Sequence, residues 1–305
     1  MSEPSPYSAH YFPVDGTNNS WSNMYQFVPE GARVLDVGCS IGNYGAALKE
    51  LKGCSVVGID ISSVDIEIAE TRLDAAYVLD ITNEQEALKL GKFDVIVCAD
   101  VLEHLPEART ALRIIKKLLR TDGVVVFSIP NMGHASVRFD LLGGRFGYTE
   151  MGLLDRTHLH FFDRDEVESV FADSGFSITE ESPTVVTYPQ QMISDRMNSY
   201  GLEAGDAFYN MLEQTEAEIF QYVGVAVPHE ADFVPPHPTG FSNPADEIFA
   251  YAESAILAKQ ALAEQLADTK IELHAVQSRL HAIRTRPVRT ILAALGRRLT
   301  GSRSR

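Results

Sequence analysis

A carboxylate and two glycines end the first apolar run of this chain, and a second carboxylate ends the next one. Residues 34–42 read Val-Leu-Asp-Val-Gly-Cys-Ser-Ile-Gly, and Asp60 closes the following apolar run. Gly38 and Gly42 would let the backbone approach a ligand closely where a helix begins. Asp60 would then accept hydrogen bonds from both hydroxyls of a ribose. This spacing predicts a site for a cofactor that contains a nucleoside.

Dinucleotide-binding enzymes share this layout, but their G-x-G-x-x-G turn offers backbone N–H groups to a pyrophosphate. Here the turn is Gly38-Cys39-Ser40-Ile41-Gly42, and Asp36 precedes it. A carboxylate at that position repels a pyrophosphate and attracts an ammonium group. The residues therefore favour a cofactor with a nucleoside at one end and an ammonium at the other.

Motifs further along the chain follow in an order that resembles the class I S-adenosylmethionine-dependent methyltransferases. The turn at 34–42 resembles the family's first motif, with Ser40 where a glycine is usual. Residues 56–62, 77–81 and 93–105 resemble the strand ends that meet the ribose, the adenine and the methionine moiety, and 118–131 resembles the fifth strand. The resemblance covers roughly residues 30–228. It implies an α/β fold with a Rossmann-like, seven-stranded doubly wound sheet, S-adenosylmethionine as cofactor and S-adenosylhomocysteine as product.

The resemblance also implies where the cofactor is bound. Asp60 would hold the ribose, and Asp80 would approach the adenine amino group. The full set of cofactor-binding residues implied in this way is Asp36, Gly38, Cys39, Gly42, Asp60, Ile61, Asp80, Ile81 and Ala99.

Methyl transfer to a neutral hydroxyl needs an aligned nucleophile and a base that removes its proton. Four histidines are expected near the cofactor: His104, His134, His158 and His160. Asp155-Arg156-Thr157-His158 resembles a D-R-T-H-x-x-F-F element of a bacterial branch of these enzymes, many of which accompany glycan-assembly genes. We predict His158 as the base and Asp155 as its orienting partner.

Other roles for these residues stay open. His104, in a Glu-His pair frequent in this superfamily, is a second candidate base or has a structural or cofactor-side role. Asp155 and Arg156 could instead form a salt bridge that holds the loop. His158 and His160 lack a second ligand cluster, so the sequence predicts no metal site.

The fourth strand end bears on the acceptor. Ala99-Asp100-Val101 stands where enzymes that methylate amino groups often carry an Asn/Asp-Pro-Pro-Tyr-like turn. No proline follows Cys98, so the chain lacks there a Cys-Pro pair suited to covalent attack on a pyrimidine. The sequence therefore predicts an O-methyltransferase, and the D-R-T-H resemblance favours a hydroxyl of a sugar or glycan-related small molecule. Two alternatives stay open: an O- or C-methyltransferase of another metabolite such as a quinone precursor, and an inactive methyltransferase fold that serves as a scaffold.

Composition and charge limit the partners. The chain has 305 residues and a net charge of −16, and its last 27 residues hold eight arginines and no acidic residue. An acidic body disfavours nucleic acid, because neutralised phosphates supply most of that affinity. No apolar run is long enough to span a membrane and no leader pattern opens the chain, so we predict a cytoplasmic enzyme. The three cysteines lack metal-ligand spacing and are expected to be reduced.

The sequence divides into five predicted segments. They are an N-terminal cap at 1–28, a methyltransferase domain at 29–228 with a lid insertion at 131–162 and a helical insertion at 185–218, a proline-rich linker at 229–245, a coiled-coil helix at 246–286 and a basic amphipathic tail at 287–305.

The helix and the tail suggest contacts outside the catalytic domain. From residue 248 to 283 a seam alternates by four and three residues, and Lys259 and Thr269 are its polar members. This heptad pattern predicts a homo-oligomer or pairing with a helical partner, and the alternative is one helix packed on its own domain. The tail favours contact with an anionic membrane surface, at the inner face, or with an acidic partner. A solvated basic tail is the alternative.

Overall fold

A computed structural model describes residues 18–229 and 244–285 of the chain. The chain divides into two compact units, Met1–Pro238 and Thr239–Arg305. The predicted tail at 287–305, most of the predicted linker and residues 1–17 of the predicted cap lie outside the described residues. Contact of the tail with a membrane or an acidic partner therefore stays a prediction.

One mixed sheet forms the centre of the first unit. Its strand order is β3-β2-β1-β4-β5-β8-β6, and β7 pairs with β8. β1 to β5 run parallel to one another, while β8 runs antiparallel to β5, β6 and β7. The strands are β1 (Arg33–Val37), β2 (Ser55–Asp60), β3 (Ala75–Val78), β4 (Phe93–Ala99), β5 (Leu119–Pro130), β6 (Phe176–Glu181), β7 (Thr184–Val185) and β8 (Ile219–Pro228).

The α-helices in the described part of the chain are α1 (Ser20–Phe27), α2 (Asn43–Lys52), α3 (Ser63–Ala69), α4 (Glu84–Ala87), α5 (Ala108–Leu118), α6 (Ala135–Leu142), α7 (Arg164–Ala172), α8 (Gln190–Ser199), α9 (Asp206–Gln214) and α10 (Pro244–Thr285). α7 begins as its sequence predicts, because the Asp163 carboxylate accepts the backbone N–H of Glu166 at 2.9 Å. α8 and α9 both lie within 185–218, the segment with the predicted helical insertion.

The sheet is covered on both faces. Successive strand residues point to opposite faces, so Leu35 joins one core while Val34 joins the other. The first core contains apolar residues of α5 and α7, and the second contains those of α1, α2 and α3. This confirms the predicted α/β class. The sheet has eight strands rather than seven, because the two-residue β7 is too short to leave an alternation in the sequence.

The insertion after β5 and the insertion after β7 share a smaller core. Phe139 of α6 packs there with Ile193 and Met197 of α8 and with Leu212 of α9. The second unit is described as the single helix α10 of 42 residues. Within the described ranges, no helix is long and apolar enough to cross a membrane.

Candidate active site

A cavity of about 780 Å³ opens where β1 to β4 end. In the strand order, the chain reverses its direction of winding between β1 and β4. Ligands of open α/β sheets bind at such a reversal, beyond the carboxyl ends of the strands. Eight of the nine predicted cofactor residues line this cavity: Asp36, Gly38, Cys39, Asp60, Ile61, Asp80, Ile81 and Ala99.

The turn between β1 and α2 shows why glycine is needed there. Gly38 has a φ of +68°, and a Cβ at this residue would lie 2.8 Å from Cγ2 of Val101. Gly42 has a φ of +78° and begins α2, but it stands behind the cavity wall, where a Cβ would lie 3.1 Å from Leu73. Gly42 is not among the described residues that line the cavity, and its predicted role in cofactor binding stays a prediction. Its glycine serves the packing of the turn.

Asp60 connects the ends of β1 and β2. Its Oδ2 accepts the backbone N–H of Ser40 at 2.9 Å, and its Oδ1 accepts that of Ser62 at 2.8 Å. These bonds hold the carboxylate in the cavity wall. Since a carboxylate has about four acceptor positions, Asp60 can still accept the two hydroxyls of a ribose.

Asp36 is a buried carboxyl group beside the same cavity. It is 2% exposed, and its Oδ2 has no hydrogen-bond partner among the described residues. Burial, and then the neighbouring Asp60, raise the pKa of Asp36 to about 7, although the backbone N–H of Gly45 opposes this shift. An orphaned acidic oxygen of this kind fits a ligand that brings a positive charge, such as an ammonium group.

Asp80 lies in the loop that follows β3. Its Oδ1 accepts both the backbone N–H of Thr82 at 2.8 Å and the Thr82 hydroxyl at 2.7 Å. The three carboxylates, Asp36, Asp60 and Asp80, therefore stand in one cavity wall in the order of their strands. Their chemistry fits a cofactor with an ammonium, a ribose and an adenine.

The opposite wall comes from the insertion at 131–162. Met151, Leu153, Asp155, Thr157 and His158 line the cavity from this side. Asp155 is 1% exposed, and its Oδ1 accepts the backbone N–H of Thr157 at 2.8 Å and the Thr157 hydroxyl at 2.7 Å. Asp155 thus orders the loop that presents His158. Arg156 forms its ion pair with Glu150.

The three predicted catalytic residues come together. The rings of His104 and His158 lie 4.8 Å apart at 73°, in edge contact. The His104 Nδ1 is 3.2 Å from the carbonyl oxygen of Thr157, and the His158 Nδ1 is 3.3 Å from that of Leu153. Burial, followed by the nearby His104, lowers the pKa of His158, and Asp155 partly opposes this shift. His158 is therefore neutral at physiological pH.

Glu103 is a site residue for which the sequence pattern predicted no role of its own. It is 1% exposed, and neither carboxyl oxygen has a hydrogen-bond partner among the described residues. Burial first, and then Asp100, raise its pKa well above the usual value. Ligand atoms of Glu103, His104 and His158 all lie within 4.8 Å of one another, so this group could hold a divalent cation. The Glu-His pair was the available signal.

Two histidines expected near the cofactor lie elsewhere. His134 is fully buried, caps α6 and places its Nε2 3.2 Å from the carbonyl oxygen of Val186. His160 places its Nε2 3.2 Å from the carbonyl oxygen of Pro106. Neither ring lines the cavity among the described residues, so the expectation for these two was wrong.

Other wall residues come from distant parts of the chain. Trp21 of α1, which falls within the predicted cap at 1–28, lies in the wall. Gln221 of β8 donates from Nε2 to Oδ1 of Asp100 at 2.8 Å, and Asp100 has a φ of +53°. Nothing in the sequence near Gln221 indicated this contact, which depends on the antiparallel return of β8 beside β5.

A family model described as a methyltransferase domain matches residues 21–181, more than half of the chain. This chain belongs to the methyltransferase domain family. The assignment confirms the predicted enzyme class and the predicted cofactor, S-adenosylmethionine. The family model does not address whether the chain belongs to the predicted glycan-associated branch.

Curated relatives of this methyltransferase cover part of its length. The ubiquinone biosynthesis O-methyltransferase of Psychrobacter arcticus is 31% identical over 157 residues, which are 48% of this chain and 60% of that protein. The protein of the same name from Actinobacillus pleuropneumoniae serotype 5b is 34% identical over 125 residues, 38% of this chain and 53% of that protein. The chain thus spans 53 to 60% of the lengths of these two relatives.

Among solved structures, the YcgJ protein from Bacillus subtilis aligns with 70% of this methyltransferase and 99% of its own chain, at 16% identity and a TM-score of 0.46. A score of this size adds nothing to the family assignment.

Proposed function

We propose that this methyltransferase acts on a hydroxyl oxygen of a small acceptor, with His158 as the general base. The observation that supports this proposal is the position of a neutral imidazole in the wall of the cavity that also holds Asp36, Asp60 and Asp80. Bound S-adenosylmethionine supplies a methyl group on a sulfonium, which reacts by in-line displacement. The protein must then align the acceptor oxygen and remove its proton.

The strand ends would hold the cofactor. Asp60 would accept the ribose hydroxyls, and Asp80 would face the adenine end. Asp36 would meet the ammonium, which stabilises the ionised form of that buried carboxyl group. The Gly38 turn leaves room for the backbone to approach the cofactor, because no side chain fills it.

The contacts of His158 determine which nitrogen can accept a proton. A carbonyl oxygen can only accept, so the Nδ1 of His158 donates its hydrogen to Leu153. Nε2 is then the unprotonated nitrogen and the one able to take the proton of an acceptor hydroxyl. The Asp155 to Thr157 bonds hold the loop, and His104 packs against the ring edge. Asp155 is a positioning residue in this account.

The acceptor that these walls favour carries its hydroxyl on an aromatic ring. Met151, Leu153, Pro130 and Phe220 give the acceptor side apolar surfaces, which suit a flat ring. The relatives' name, ubiquinone biosynthesis O-methyltransferase, also supports the quinone-precursor alternative over the sugar acceptor that the sequence favours. A sugar hydroxyl remains the second candidate, because the hydrogen-bonded Asp100 and Gln221 offer a polar pair in the same wall.

The test is transfer of radioactive methyl from S-adenosylmethionine by the purified full chain. A catechol acid such as 3,4-dihydroxybenzoate and a set of nucleotide sugars serve as acceptors, and mass spectrometry locates the methyl group. We expect label on a ring hydroxyl. Label on sugar oxygens alone would replace the first candidate with the second, and label on amines or protein alone would contradict O-methylation.

A chelator arm separates proton abstraction from metal assistance. If treatment with EDTA abolishes transfer and added Mg²⁺ or Zn²⁺ restores it, then Glu103, His104 and His158 act as ligands and the role of His158 as base is wrong. Retained activity in EDTA is the result that the proposal predicts. Thermal shift with S-adenosylhomocysteine tests the scaffold alternative, since a protein that binds the cofactor is stabilised by it.

A further inference from the structure

The helix of the second unit exposes a large apolar surface. Every described side chain of α10, from Glu253 to His281, is exposed. Eight of them are large and apolar, with exposed fractions of 51 to 68%: Ile256, Leu257, Leu262, Leu266, Ile271, Leu273, Val276 and Leu280. Exposed apolar surface on this scale marks an interaction site.

Most of this surface lies on one stripe. Here the seam means the residues spaced alternately by three and four in the described part of α10: Lys259, Leu262, Leu266, Thr269, Leu273, Val276 and Leu280. Five of the seven are apolar, which is the pattern that packs against a second helix. Leu257 and Ile271 lie off the seam, on the opposite side of the helix.

We propose that the partner of the seam is α10 of a second copy of this chain, in antiparallel orientation and centred on residue 264. The first argument is the place of the two polar seam residues. Lys259 and Thr269 each lie five residues from that centre. In this register Lys259 of one copy therefore faces Thr269 of the other. A parallel pair in register would instead bring two Lys259 ammonium groups into the same layer, where like charges repel.

Leu262 and Leu266 give the same centre. Each lies two residues from residue 264, so Leu262 of one copy faces Leu266 of the other in the antiparallel pair. Leucines therefore form the middle of the interface. The same register overlaps the whole helix, because residues 244 and 284 are both 20 positions from the centre. At 1.5 Å per residue, the 42 residues of α10 give a contact about 63 Å long.

The charge along α10 is the second argument. Residues 244–264 contain four acidic residues and one lysine, a net charge of −3. Residues 265–285 contain two acidic and three basic residues, a net charge of +1. Antiparallel pairing lays the acidic half of each copy along the basic half of the other, whereas parallel pairing lays the two acidic halves together. Complementary charge thus selects a second copy and its direction.

The first experiment measures the mass of the full-length protein by sedimentation equilibrium. We expect a dimer that Leu266→Glu converts to a monomer. Ile271→Glu is the matched control, because Ile271 is 68% exposed on the same helix and lies off the seam. It should remain a dimer. Circular dichroism and the thermal shift with S-adenosylhomocysteine check that both variants keep their helix content and a folded first unit.

The second experiment measures the direction of pairing. A spin label at Ser278→Cys lies off the seam, 14 residues from the centre, and the three native cysteines are buried. Electron–electron distance measurement should give about 45–50 Å in the antiparallel dimer, because 28 residues of rise separate the labels by about 42 Å along the helix axis. A parallel dimer would give about 25–30 Å, because paired helix axes lie 8–10 Å apart and the two labels point away from each other. A monomer, a short distance, or a dimer that survives Leu266→Glu would overturn the proposal.

Discussion

The two walls of the cavity are built in different ways. On the cofactor side, Asp36 lies in β1, Asp60 ends β2 and Asp80 lies in the loop after β3. Backbone N–H groups hold Asp60 and Asp80. On the acceptor side, the residues come from a long insertion, and side chains of that loop order one another. The cofactor wall is therefore a product of the sheet, while the acceptor wall is a product of loop contacts.

The two walls are connected by hydrogen bonds at Glu103. The carbonyl oxygen of Glu103, in the turn Leu102–His104, accepts the backbone N–H groups of Leu159 at 2.8 Å and His160 at 3.1 Å. These bonds attach the insertion to the end of β4. Substitutions on the cofactor wall should thus change cofactor affinity, and those on the acceptor wall should change the rate of transfer.

The largest expected effect is on the acceptor wall. His158→Gln removes the base, so kcat should fall by roughly 10² to 10⁴ while the affinity for S-adenosylhomocysteine stays the same. His160→Gln is the control, since that ring contacts Pro106 instead. Steady-state kinetics and calorimetry give the two values. A loss of cofactor affinity equal to the loss of rate would show that the walls are not separate.

Asp60→Asn, on the cofactor wall, should weaken cofactor binding and leave the rate of transfer nearly unchanged. The amide cannot accept from Ser40, Ser62 and a ribose as the carboxylate does, and bonds to charged groups contribute about 1.5–3 kcal/mol. Cofactor affinity should fall by roughly 10- to 100-fold, with kcat at saturating cofactor nearly unchanged. Calorimetric titration measures this, and Asp122→Asn at an exposed position of β5 is the control. Unchanged cofactor affinity in Asp60→Asn would contradict the assignment of Asp60 to the ribose.

The pH dependence of cofactor affinity tests Asp36. With its pKa raised to about 7, this carboxyl group is protonated below that pH and ionised above it. Because the ionised form attracts the ammonium, affinity should rise about tenfold from pH 6 to pH 8 and then level off. The Asp36→Asn variant should show weaker binding without this rise. An affinity that falls over the same range in the wild type would contradict the assignment.

The smallest effect concerns the glycine turn. Gly38→Ala places a Cβ 2.8 Å from Val101 at a positive φ, whereas Gly31 has a similar φ of +70° with nothing within 4 Å of the added atom. Both alanines carry the left-handed backbone cost of about 1–2 kcal/mol. Gly38→Ala should lower the free energy of unfolding further, by about 1 kcal/mol, because the contact must also relax. Equal losses in chemical denaturation would mean that Val101 moves freely.

The sequence predicted the cofactor wall well because parallel strand ends meet at one edge of a sheet. Knowing where β1 and β2 end is enough to bring Asp36 and Asp60 together. For Gly42 the sequence cannot separate two roles, since a glycine that fits a turn and one that meets a ligand look alike in sequence. The predicted role of each residue toward cofactor and acceptor stays a prediction until binding is measured.

The acceptor wall was harder to predict, because its residues are positioned by contacts across long separations. His134 and His160 belong to the same insertion as His158, but the path of the backbone turns them away. Within the predicted helical insertion, the bounds of α8 could not be predicted, because this helix has few apolar residues and follows Pro189. Its Ile193 and Met197 are buried by Phe139 and Leu212, which the local sequence does not show.

The pH dependence of kcat tests most directly whether His158 removes the proton of the acceptor. At saturating cofactor and acceptor, the wild-type rate should rise with pH as His158 loses its proton, with an inflection below the ordinary histidine pKa of about 6.5, and be level above neutrality. The His158→Gln variant should be at least about a hundredfold slower and lack that inflection. The same rate and the same inflection in both proteins would contradict the account.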